Sequence, residues 1–159
     1  MRQAPAPGAA RITGVAGLKM QEQPSQGQPP QNDTALPLLD PAVLEKLHEE
    51  LEDGLGLWKV FVSNFIALLP TRIERLRVSL TTGDLTGSLD AVLSLKTSSQ
   101  MVGAERLAGL ALDLEQAIRT NPGADLNHLL PWLASTHLKA IQRCSRQTTD
   151  QLEKYASDE

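Results

Sequence analysis

Aromatic residues are scarce in this 159-residue chain, at 3%: two Trp, one Tyr and two Phe. A β-sandwich draws on such residues for its sheet faces, so a core made mainly of Leu, Val, Ile and Ala favours packed helices. Cysteine is almost absent. Cys144 stands alone, which excludes an intramolecular disulfide and a cysteine-based zinc site. No apolar run approaches the roughly 18 residues that cross a bilayer. Excess positive charge is missing too. The net charge is −4, which speaks against a general nucleic-acid binder, since that needs a basic patch to displace counterions. The N-terminal stretch "MRQAPAPGAARITGVAGLKM" has no continuous apolar segment because Pro5, Pro7, Gly8, Arg11, Gly14 and Gly17 interrupt it. No signal peptide and no membrane association are expected, and the default location is cytoplasmic.

Catalytic motifs are also lacking. There is no glycine-rich phosphate loop, no H-E-x-x-H and no G-x-S-x-G. The three histidines are His48, His128 and His137. His128 and His137 are nine apart, whereas a metal pair on one helix face needs a spacing of three or four. His48, followed by Glu49 and Glu50, reads as part of a solvated face. His137 falls on an apolar stripe, where a lone histidine is most often an edge-of-core residue. Cys144 reads as a small core residue. No nucleophile, base and oxyanion site assemble. The chain is expected to be neither an enzyme nor a holder of a metal or cofactor.

What is present is a polar leader and then helical periodicity. Residues 1–37 contain six of the ten prolines, including the run "QEQPSQGQPPQND". Few residues there could offset the entropy of ordering the backbone, so this segment is expected to be a disordered tail. Residues 38–156 form the expected domain. Asp40–Pro41 is an N-cap with proline at the first helical position. Leu44, Leu47 and Leu51 then share one stripe, closed by Gly54 and Gly56. A second helix over 57–80 carries Leu57, Phe61, Phe65, Leu68, Ile73, Leu76 and Leu80 inward, with Pro70 producing a kink. A third, capped by Asp84, runs over 85–102 with Leu85, Leu89, Val92, Leu95, Ser99 and Val102 inward. Gly103 is the joint to a fourth, 104–119, with Leu107, Leu110 and Leu114 inward. Asp125 caps the last helix. Its stripe of Leu126, Leu130, Leu133, His137, Ile141, Cys144, Thr148 and Leu152 weakens after Cys144, so its end is expected to extend past the core. No period-two strand pattern occurs. The expected fold is all-α, an antiparallel four-helix bundle with a short extra N-terminal helix.

One residue breaks the pattern. On the third helix Leu93 is surrounded by Thr86, Asp90, Thr97 and Gln100, on a face that is otherwise polar. The segment around it, "SLKTSSQMVGAERLAGLALDLE", resembles the histidine-containing phosphotransfer (HPt) domain of multistep phosphorelays, over about residues 39–120. That family's signature is H-x-L-K-G, small residues, a later Gly and an LE pair. Leu95, Lys96, Ser98, Ser99, Gly103, Leu107, Leu114 and Glu115 match it. Two positions depart: Leu93 stands at the phosphoacceptor histidine and Thr97 at the glycine. The resemblance implies a partner-docking face of Asp90, Leu93, Lys96, Thr97 and Gln100 for a response-regulator receiver domain or a histidine kinase. It also implies loss of phosphotransfer, because leucine has no lone pair to accept a phosphoryl group. Two alternatives are phosphotransfer through His137, which Leu138 and Lys139 follow, and a helical adaptor or dimerisation module outside signalling.

Overall fold

The computed structural model describes residues 36–51 and 56–158. Most of the expected tail, residues 1–35, lies outside the described residues, and so does Gly54. Leu36, expected in the tail, instead packs on the domain: its carbonyl accepts a hydrogen bond from Arg106 Nε at 2.9 Å.

Five helices follow in order: α1 Pro41–Glu50, α2 Leu57–Thr81, α3 Leu85–Met101, α4 Glu105–Arg119 and α5 Leu126–Asp158. No strand occurs among the described residues. The fold is all-α. α2 packs on α3, α3 on α4, α4 on α5 and α5 back on α2, a closed ring in which α3 and α5 are diagonal. Short turns make neighbours antiparallel.

Local chemistry sets the boundaries. Asp40 accepts from Ala42 N–H and Pro41 opens α1. Asp84 accepts from Gly87 N–H to start α3, and Asp125 accepts from Asn127 N–H to start α5. α1 does not end at the glycines; Leu51 is its C-cap, and Gly56, with φ 70°, precedes α2. Gly103 has φ 75°, so the α3–α4 joint uses a backbone shape that L side chains disfavour. Its carbonyl accepts from Asp40 N–H at 2.8 Å, which fastens α1 to that joint.

Two expectations about the core need correction. In the first half of α2 the buried residues are Trp58, Val62, Phe65 and Leu69, while Leu57 and Leu68 are exposed and Phe61 is half-buried. That half is apolar nearly all round, so spacing alone did not identify the inner face. The far end of α5 does not leave the core. Thr148 and Leu152 are fully buried, and Tyr155 meets the Trp58 ring edge-on at 5.5 Å. Thr148 can be buried because its hydroxyl donates to the Cys144 carbonyl at 2.8 Å. His48 is not on a solvated face either. Its ring lies 4.4 Å from that of Trp58 and is half-buried. Cys144 is buried as expected. α2 is one continuous helix through Pro70.

Candidate functional site

α3 buries Ser88, Ala91, Val92, Leu95 and Ser99 against its neighbours. Each residue turns the helix by about 100°, so a core-facing Leu95 carries Leu93 to the outer side. There Leu93 is half-buried, while Asp90, Thr97 and Gln100 are exposed. These four residues of the expected docking face therefore share one outward surface. Ser98 is half-buried and its hydroxyl donates to the Ser94 carbonyl at 2.8 Å, so it is already engaged.

Lys96 is placed differently from its neighbours. Its Nζ lies 2.7 Å from Glu115 Oε1, across the α3–α4 contact. The other carboxylate oxygen accepts from Arg119 Nε at 2.9 Å. Glu115 is buried, and an ionised carboxylate there needs both partners. The Lys96 hydrogen bond holds its carboxyl below the usual range. Burial opposes that shift, and Arg119 adds to it. The cation expected on the docking face is thus half-buried at its edge and neutralised from α4. Glu115 and Arg119 were missed as site residues. The signal for Glu115 was its position in the LE pair; nothing local marked Arg119.

All three histidines lie elsewhere. His48 lies against Trp58 at one end of the bundle, the two rings tilted by 33°. His128 is exposed near the start of α5, with Nδ1 2.6 Å from Asp125 Oδ2. His137 is half-buried on α5. Among the described residues no group of three His, Cys, Asp or Glu is placed to hold a metal ion. No described helix is long and apolar enough to cross a membrane.

The Hpt domain family model matches residues 60–155. This chain belongs to the Hpt family. Members carry phosphoryl groups in phosphorelays and interact with receiver domains and kinases; they are carriers and not catalysts. That membership supports a phosphorelay protein over an unrelated helical adaptor. Among solved structures, the Hpt domain is similar to histidine-containing phosphotransfer protein B (HptB) from Pseudomonas aeruginosa PAO1. The TM-score is 0.63 at 24% identity, covering 77% of this chain and 97% of that one; the likeness concerns the fold. No curated protein matches in sequence.

Proposed function

We propose that this Hpt domain is a pseudo-phosphotransfer module, one that docks a receiver or kinase domain of a phosphorelay without accepting phosphate. The observation that carries the reading is Leu93. It occupies the motif position two residues before Leu95 and three before Lys96, on the outer face of α3, and all three histidines belong to α1 and α5.

The chemistry follows from the side chain. Transfer from an aspartyl phosphate breaks the acyl–phosphate bond as a nitrogen lone pair attacks phosphorus. Leucine offers none. Ser94, Thr97 and Ser98 carry hydroxyls, weak nucleophiles unless a base activates them, and Ser98 already donates to a backbone carbonyl. Lys96 would ordinarily favour an incoming phosphoryl group, but Glu115 engages its charge. Docking is better served. A leucine that becomes fully buried in an interface contributes about 1.5–3 kcal/mol, and Asp90, Thr97 and Gln100 around it supply a polar rim.

The test uses a receiver carrying a radiolabelled aspartyl phosphate. The expected result is binding, seen as NMR shifts at Leu93, Thr97 and Gln100, with no acid-labile label on this chain. Label on the chain, or no shifts at that face, overturns the proposal. Phosphotransfer through His137 would appear as label that His137→Gln removes.

A further inference from the structure

The outer side of α5 carries a feature that phosphorelay docking on α3 does not use. Between Leu126 and Thr149 there is no acidic residue, although the chain as a whole is at −4. Trp132, Lys139, Arg143 and Arg146 fall at spacings of seven, four and three, which place them on one helical face. All four are exposed, and Trp132 is 60% accessible. Among the described residues no ion pair engages the three cations. Arg146 borders a groove between α2 and α5 whose walls include Leu69, Pro70 and Ile73. Glu74, paired to Arg77 at 2.6 Å, and Asp150, which ends the acid-free stretch, share that groove.

We propose that this face is a second docking surface, and that its occupant is an acidic helical segment of a partner protein, with an apolar residue covering Trp132. The ends of the stripe are 14 residues apart, about 21 Å at 1.5 Å per residue, the length of a four-turn helix. Exposed tryptophan and arginine are the side chains most often found as interface anchors. Unpaired cations on one face select an acidic partner and exclude a basic one. The chain's own leader is a poor match: residues 1–35 carry Arg2, Arg11 and Lys19 against Glu22 and Asp33, a net of +1. An anionic bilayer fits less well. Basic clusters that read lipid headgroups carry about four to eight residues, and the α2–α5 groove is concave where a bilayer is flat. Because α5 is diagonal to α3 in the ring, a receiver on Leu93 and a segment on α5 could be held at once.

The chain contains its own probe. Trp58 is buried at 3% exposure, so quenching by acrylamide reports Trp132. The full chain is titrated with a synthetic 14-residue helix of Glu and Leu, and with the same peptide carrying Gln for Glu. Expected are a blue shift and protection of Trp132 by the acidic peptide only. Affinity should fall at least tenfold in the variant Lys139→Glu, Arg143→Glu, Arg146→Glu and at high salt, and stay unchanged in Leu93→Ala. The milder Lys139→Ala, Arg143→Ala, Arg146→Ala variant should lie between, with helicity by circular dichroism intact in both. Equal binding by the charge-reversed chain, or no binding of the acidic peptide, overturns the proposal. Tighter binding to phosphatidylserine vesicles than to the peptide would assign the face to lipid instead. Self-association that the same reversals abolish would assign it to a second copy.

Discussion

Lys96 and Glu115 close a 2.7 Å ion pair that ties the centre of α3 to α4, 19 residues along the chain. The pair fixes the edge of the Leu93 face and places a buried carboxylate between two cations. Glu115→Gln keeps the shape and removes the charge, leaving the half-buried ammonium of Lys96 less well paired. The expected loss is about 1.5–3 kcal/mol, the range for hydrogen bonds to charged groups. Urea denaturation measures it; a change within a few tenths of a kcal/mol would show that the pair is only decorative.

The same pair sets a pH dependence. Hydrogen bonding from Lys96 lowers the Glu115 pKa in the folded chain, so the unfolded chain binds more protons in the acid range. Stability from this group is complete above the unfolded-state pKa of glutamate, and is lost as pH falls through the lower folded value. Wild type should therefore lose more stability than Glu115→Gln between about pH 6 and pH 3, and the two curves should converge in acid. Parallel curves would refute the linkage.

Gly103 is expected to be intolerant of a side chain. A Cβ there would lie 3.0 Å from the Asp40 carbonyl and 3.0 Å from Val43 Cβ, at φ +75°. The left-handed backbone alone costs an L residue about 1–2 kcal/mol, and α1 must also give way. Gly103→Ala should destabilise by about 2 kcal/mol or more and loosen α1, seen as faster amide exchange at the Asp40 N–H that Gly103 accepts. Unchanged exchange there would mean α1 is held by other contacts.

Ser88 and Ser99 behave in the opposite sense. Both are fully buried, and neither hydroxyl has a hydrogen-bond partner. An unpaired buried hydroxyl costs about 1–3 kcal/mol. Ser99→Ala should therefore raise stability, by about 0.5–1 kcal/mol after the small cavity is counted. A loss of more than 1 kcal/mol on thermal unfolding would require a partner that the hydroxyl finds only in solution.

Leu93→His places an imidazole on the outward face of α3 and tests the proposed loss of transfer. With a phosphorylated receiver, this variant should gain acid-labile phosphate, and Leu93→His with Thr97→Gly should gain more, because the glycine removes the branched side chain beside the imidazole. If neither variant is labelled while both still bind, Leu93 alone does not account for the proposed lack of transfer.

The bundle was legible in the sequence wherever local chemistry marks a boundary. Asp40–Pro41, Asp84, Gly103 and Asp125 each delimit an element where expected. On α3, Val92, Leu95 and Ser99 are buried where expected and Leu93 stands out on the polar side, but Leu85 and Leu89 are only half-buried while Ser88 and Ala91, small residues with little apolar signal, are buried. α2 was read poorly in its first half. Leu57, Trp58, Val60, Phe61, Val62, Phe65, Ile66, Leu68 and Leu69 leave little polar contrast, and only tertiary packing chooses Trp58 and Leu69 over Leu57 and Leu68. The end of α5 was underestimated because Thr148 counts as polar in any hydrophobic pattern, yet its hydroxyl is satisfied within its own helix. The Lys96–Glu115 pair depends on how α3 meets α4, which no spacing within one helix encodes.

The helices are unequal. α2 and α5 have 25 and 33 residues, α3 and α4 have 17 and 15. At 1.5 Å per residue the long pair outreaches the short pair by more than about 10 Å. Trp58 near the start of α2, Tyr155 near the end of α5 and His48 on α1 join their rings in that overhang. The described helices thus form a short bundle with a step at one end, and α1 sits on the step. α1 buries only Leu44 among its own residues, so the step is where unfolding on heating is expected to begin.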